Sequence, residues 1–254
     1  MKNELLLLGG SHMAQIISYA QSRSNAAIGA PKNFEIKSVC CSDLDFSATF
    51  DVTPERALDC RGHAYLARSC QQTYGGHLIP YIPNRIICVL IGNWHHVVDD
   101  PIWTTRYPAE LLPGVEQSVP VSVNEIIERI WPEVYIRVKV MAALLRGGQR
   151  FFAAFTPYIP LFQATKMGVP PRTVQYLHGL CHVLYKNALT SLGIKYVSNP
   201  QSFISPDGFL KPELCTYNNS HANDKYVGLY WDQIRFYLDQ HEWRPDNFDY
   251  DLAV

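Results

Sequence analysis

The sequence predicts an α/β fold in which a parallel sheet lies between two layers of helices. Apolar runs of strand length recur without alternating polar residues, at Leu5 to Leu8, Arg85 to Ile91 and Phe151 to Thr156. Such runs suit strands buried on both faces. Between them lie segments with apolar residues at helical spacing, and strands that alternate with helices pair in parallel. The chain has 254 residues, 47% of them apolar, enough to fill a core on both sides of a sheet. No internal repeat, low-complexity tract or linker rich in Gly, Ser or Pro divides it, so residues 1–254 are expected to form one domain.

The elements follow in order. Leu5 to Leu8 is the first strand and ends at Gly9-Gly10. From Ser11 a helix is predicted, with Met13, Ile16, Ile17 and Ala20 on one face. Phe34 to Cys41 is the second strand, His63 to Tyr74 a helix bounded by glycines, and Arg85 to Ile91 a buried third strand. An excursion at about residues 95–121 follows, with Pro101, Pro108, Pro113 and Pro120 in its path. Val123 to Arg146 reads as a long helix interrupted near Pro132, because an internal proline removes a helical hydrogen bond. Phe151 to Thr156 is strand-like and stops at Pro157. Pro170-Pro171 introduces a helix with Val174, Leu177, Cys181, Leu184 and Ala188 on one face, stopped at Gly193. Ile194 to Val197 is a short strand. The last helix is predicted from about Asn223 to Leu238, with Val227, Tyr230, Ile234 and Tyr237 or Leu238 inward.

Composition narrows the function classes. With 22 Lys and Arg against 23 Asp and Glu, the formal charge is −1. A nucleic-acid partner is therefore not expected, since that affinity comes from clustered cations. Leu5 to Leu8 is too short for a membrane span or a signal-peptide core, so no membrane partner is expected. Seven scattered cysteines without a CxxC pair suit a reducing, cytoplasmic compartment better than a disulfide framework. No phosphate-binding loop of standard spacing is present, and no cofactor is expected. His178 and His182 stand one helical turn apart beside Cys181, but Gly179 occupies the Glu position of HExxH. They are taken as helix-face residues, and no metal is expected.

Three segments could carry chemistry. Ser11 opens a helix directly after a strand, where free backbone N–H groups and the helix dipole favour developing negative charge. An N-cap is the ordinary role of a serine there. Asn93 follows Ile91-Gly92 at the end of the buried strand. Its amide could donate to an oxyanion, worth about 2.7–4 kcal/mol in comparable sites, or make an Asx-turn. His221, in Asn218-Asn219-Ser220-His221-Ala222-Asn223 before the last helix, could act as a general base, or be one of nine ordinary histidines.

Together, in order, type and context, these segments resemble the blocks of the SGNH (GDSL-type) hydrolases. The likeness extends to Pro206-Asp207-Gly208-Phe209-Leu210 followed by His221-Ala222-Asn223-Asp224-Lys225-Tyr226, a pairing similar to a bacterial branch of that family. The resemblance implies a flavodoxin-like three-layer α/β/α fold. It implies Ser11 as nucleophile, His221 as base, and an oxyanion hole of Asn93, the Ser11 N–H and a glycine for which Gly62 is the candidate. The implied activity is ester hydrolysis on a small-molecule substrate, acylated carbohydrates included, with acyl transfer on the same site as the alternative.

The sequence departs from the family pattern in three places. Gly10 replaces the usual Asp before the serine, and Ile91 stands where the Asn block usually begins with Gly. Asn218 stands three residues before His221, in place of the triad Asp. An Asn can orient the imidazole but lends no charge to the imidazolium. Asp207 or Asp224 could supply that charge, a Ser-His dyad could rely on a backbone carbonyl, or the domain could be a catalytically weakened binding module.

Overall fold

In the computed structural model the long apolar runs form the inner strands of one parallel sheet. The structure describes residues 3–23, 34–40, 51–92, 95–114, 116–216 and 222–240, leaving out the side chains of residues 23, 95 and 96. In chain order the elements are β1 (Asn3–Gly9), α1 (Ser11–Arg23), β2 (Phe34–Cys40), β3 (Asp51–Val52), β4 (Leu58–Asp59), α2 (Ala64–Tyr74) and β5 (Leu78–Ile79). They continue with β6 (Arg85–Ile91), α3 (His95–Val98), β7 (Arg106–Pro108), β8 (Val119–Val121), α4 (Val123–Arg146) and β9 (Phe151–Phe155). The last are α5 (Leu161–Lys166), α6 (Pro171–Ser191), β10 (Tyr196–Val197) and α7 (Asp224–Gln240).

The central sheet has the order β10-β9-β6-β1-β2, with every pairing parallel. Counting only its own strands, that is the doubly wound order 2-1-3-4-5, whose direction reverses between the first and third strands. Neighbouring residues on each inner strand serve opposite cores. Leu6 and Leu8, Ile87, Val89 and Ile91, and Phe151, Ala153 and Phe155 pack with α4 and α6. Leu5 and Leu7, Ile86, Cys88 and Leu90, and Phe152 and Ala154 pack with α1 and α7. This two-sided burial is why the strands read as unbroken apolar runs.

Several boundaries differ from the sequence expectation. The first strand is longer than Leu5 to Leu8 and includes Gly9. A Cβ built on Gly9 would lie 2.9 Å from the Cβ atoms of both Leu90 and Met13, so glycine lets β1, β6 and α1 close together there. The long helix is not interrupted at Pro132. Pro132 and Glu128 are both exposed, so water can satisfy the Glu128 carbonyl that loses its helical donor. The short strand shrinks to Tyr196–Val197, while Ile194 remains buried. On α6, Leu184 is only partly buried, and Tyr185 and Leu189 complete the inward face. The small antiparallel sheet β3-β4-β5 had no counterpart in the sequence pattern, since two-residue strands carry no periodicity.

The excursion is packed against the body of the protein. Trp103 is buried, and its indole N–H donates to the Val97 carbonyl at 2.8 Å. The Gln117 amide donates to the carbonyls of Trp103 and Arg106 and meets Thr173 Oγ1 of α6 at 3.2 Å. No described helix is long and apolar enough to cross a membrane.

Candidate active site

The order reversal lies between β1 and β6, and in such sheets ligands bind beyond the carboxyl ends of the strands at that point. Ser11 and Gly92 stand there, at the ends of β1 and β6. The Ala14 N–H donates to the Gly10 carbonyl at 3.1 Å, so Gly10 is the cap and Ser11 the first helical residue. Ser11 therefore does not occupy the cap position that a serine most often fills. It is half-buried, and the amides of the first turn around it have no intrahelical acceptor.

Gly92 is buried with φ +95°, in the region that favours glycine, and turns the chain as it leaves β6. Asn93, next in sequence, lies outside the described residues, as do Asn218 and His221. The described residues nearest them in the chain are Gly92, Thr216 and Ala222. Ala222 is buried, and its carbonyl accepts a hydrogen bond from Gln15 Nε2 at 3.3 Å. Gln15 is one helical turn beyond Ser11, so the two residues share a face of α1. Ala222 also bridges Cys215, which joins both flanks of the 217–221 segment. Asn223 then caps α7. Its Oδ1 accepts the Tyr226 N–H at 3.1 Å, and its Nδ2 donates to the carbonyls of Glu213 and Cys215. The described chain on either side of residues 217–221 is thus tied together, and Ala222 is held against the helix that begins with Ser11.

The remaining candidates are distributed around this point. Gly62 lies in the exposed turn between β4 and α2, where the His63 N–H donates to the Cys60 carbonyl at 3.1 Å. Asp224 is the exposed first residue of α7. Asp207 is exposed in a turn whose Gly208, at φ +78°, sits against Gln175 of α6. Sequence reasoning passed over Thr156 and Asn199, buried polar residues just beyond β9 and β10. The signal was available, because a polar residue closing an apolar strand run marks the sheet edge where ligands bind.

His178 and His182 lie on the buried face of α6. The His182 ring stacks on Phe155 with centroids 4.4 Å apart, and the His178 ring meets Tyr158 at 4.6 Å. Among the described residues no three His, Cys, Asp or Glu side chains group closely enough to hold a metal ion. Burial, aided by the Lys186 charge, pushes the His182 pKa from 6.5 down to about 4. The unfolded chain therefore binds a proton between those values that the folded chain refuses. Stability is full above pH 6.5 and is lost as the pH falls toward 4, by about 3 kcal/mol. Urea unfolding at pH 7 and pH 4 should show this loss, and His182→Gln should reduce the slope.

Comparison with solved structures identifies the architecture. A protein from Bacteroides fragilis assigned as an acylhydrolase matches over 93% of this chain and 86% of its own, with a TM-score of 0.51 and 8% identity. One from Streptococcus pneumoniae assigned as a platelet activating factor matches over 94% and 85%, with a TM-score of 0.50 and 11% identity. The chain has an SGNH hydrolase-like fold. The three-layer arrangement that the resemblance implied is therefore present. A GDSL-like lipase from Bacteroides thetaiotaomicron also matches, over 93% and 87% of the two chains, at TM-score 0.48 and 8% identity. No protein-family model and no curated protein matches the sequence. In the SGNH hydrolase-like frame, Ser11 stands at the end of the first strand and the 222–223 cap at the start of the last helix.

Proposed function

We propose that the protein is a serine-dependent ester hydrolase acting on a small acyl ester, acylated carbohydrates included. His221 takes the proton of Ser11 as the hydroxyl attacks the ester carbonyl. Asn93 and the Ser11 N–H hold the tetrahedral oxyanion, with Gly62 as the candidate third donor. The intermediate then collapses as His221 returns the proton to the departing alcohol, and water, deprotonated by His221 in turn, hydrolyses the acyl-Ser11 ester. One observation carries the proposal: the backbone directly after His221 is hydrogen-bonded to Gln15, one turn along the helix that Ser11 opens. The switch-point position of Ser11 and Gly92, and a fold shared with a protein assigned as an acylhydrolase, support the same activity.

The imidazole needs a partner on its other nitrogen. Asn218 can orient it, and Asp224 at the start of α7 is the nearer of the two alternative carboxylates in sequence. Seven cysteines scattered along the sequence without a CxxC pair suit a reducing compartment such as the cytoplasm.

A fluorophosphonate probe tests the activated hydroxyl. Mass spectrometry should find the label on Ser11, and His221→Ala should abolish it. An unlabelled parent chain would leave a binding module. Product analysis with an added sugar acceptor separates the two chemistries, since a transferred acyl group on the sugar would indicate a transferase.

A further inference from the structure

A line of buried hydrogen bonds runs along the carboxyl edge of the sheet, from the end of β6 to the first turn of α7. Thr156, next after β9, donates its backbone N–H to the Ile91 carbonyl at 2.8 Å. Its hydroxyl donates to the Gly92 carbonyl. The Thr156 carbonyl accepts from Asn199 Nδ2 at 2.7 Å, and Asn199 Oδ1 accepts from the Tyr226 hydroxyl. Thr156 and Asn199 are 8% exposed and Tyr226 only 1%. Water therefore replaces a lost partner poorly, and each bond matters more than a surface one would.

The two ends of this line matter most. At one end the Thr156 hydroxyl holds the Gly92 carbonyl. A peptide group is planar, so holding that carbonyl sets the plane of the bond leading into residue 93. Gly92 alone would not hold that plane, because glycine at positive φ is conformationally permissive. At the other end Tyr226 stands in the turn capped by Asn223, whose neighbour Ala222 follows His221. We propose that Thr156, Asn199 and Tyr226 are positioning residues that set the turn leading into Asn93 against the chain that carries His221. This rests on the hydrolase proposal and deepens it, since the line runs from the residue before Asn93 to the helix that follows His221.

Thr156→Val, Thr156→Ser and Tyr226→Phe test the proposal in the full-length protein, with circular dichroism to check folding. Thr156→Val should lower kcat for p-nitrophenyl acetate by about tenfold or more with KM within about twofold, as misplaced catalytic groups do. Thr156→Ser keeps the hydroxyl and should restore most of the rate. Tyr226→Phe removes one oxygen at the far end and should lower kcat in the same way. It carries the test alone if Thr156→Val does not fold. In both damaging variants, hydrogen exchange should rise in residues 90–98 and also in 216–223. An unchanged kcat, a rise in KM alone, or exchange that rises only beside the mutation would overturn the proposal. If the parent chain neither labels nor turns over ester, the hydrolase proposal fails separately. The exchange result then settles the coupling: a rise in both segments supports it and a rise in one overturns it.

Discussion

Ser11→Ala should reduce ester hydrolysis to the rate of buffer alone, a fall of at least about 10³-fold, while leaving the fold intact. Without the hydroxyl no acyl-enzyme can form, and oxyanion donors and binding contacts account for whatever remains. The same substitution should cost less stability than the loss of a helix cap, because alanine suits a first-turn helix position and Gly10 keeps the cap. That second expectation depends on a structural finding. Gly10, not Ser11, accepts the first helical hydrogen bond from Ala14. A capping serine would give the opposite result, with about 1 kcal/mol of stability lost and activity kept. Turnover of p-nitrophenyl acetate and urea unfolding, measured on one preparation, separate the two outcomes.

Glu4→Leu should cost about 3 kcal/mol or more of stability, a large fraction of the roughly 5–15 kcal/mol that domains possess. Glu4 and Arg85 are register partners on β1 and β6, at the opposite edge of the sheet from Ser11. Arg85 Nε donates to Glu4 Oε1 at 2.5 Å, and the Arg85 side chain is fully buried. The Tyr74 hydroxyl donates to the same carboxylate oxygen at 2.9 Å, and the guanidinium lies 5.1 Å from the Tyr74 ring centroid. Removing Glu4 strands a buried cation whose other described hydrogen bond goes to the Pro80 carbonyl. A Glu4→Leu/Arg85→Met double variant should regain most of the loss, because replacing both charges removes the desolvation penalty. Urea unfolding measures each step. Turnover per folded molecule should stay near the parent value, since the pair lies far along the strands from the proposed chemistry.

The legibility of each feature follows from how local its cause is. The inner strands and the faces of α1 and α7 were readable because burial on a strand or helix imposes a periodicity that the residues must carry. Met13, Ile16, Ile17 and Ala20 are buried as expected, and so are Val227, Tyr230, Ile234 and Leu238. Pro132 misled because its consequence depends on which side of α4 meets water, which the local sequence does not state. The β3-β4-β5 sheet escaped because strands of two residues are too short to carry a periodicity. For the proposed site, Ser11 was singled out by its context, a strand ending in glycine before a helix. The line from Gly92 through Thr156 and Asn199 to Tyr226 was invisible, because its members are scattered and each pairs with a distant group.

By itself, the sequence determined the inner strands, the main helices and the parallel class of the sheet, and it supplied the residues on which the acyl chemistry is proposed. Each of these is recorded in local spacing or residue type. Only the tertiary structure decided that Gly10 caps α1 in place of Ser11 and that Pro132 is tolerated. It alone brought Gln15 to Ala222 and tied the ends of β6 and β9 to α7. Those are pairings between groups far apart in the chain, and their partners are chosen by the packing of layers rather than by any neighbour in sequence.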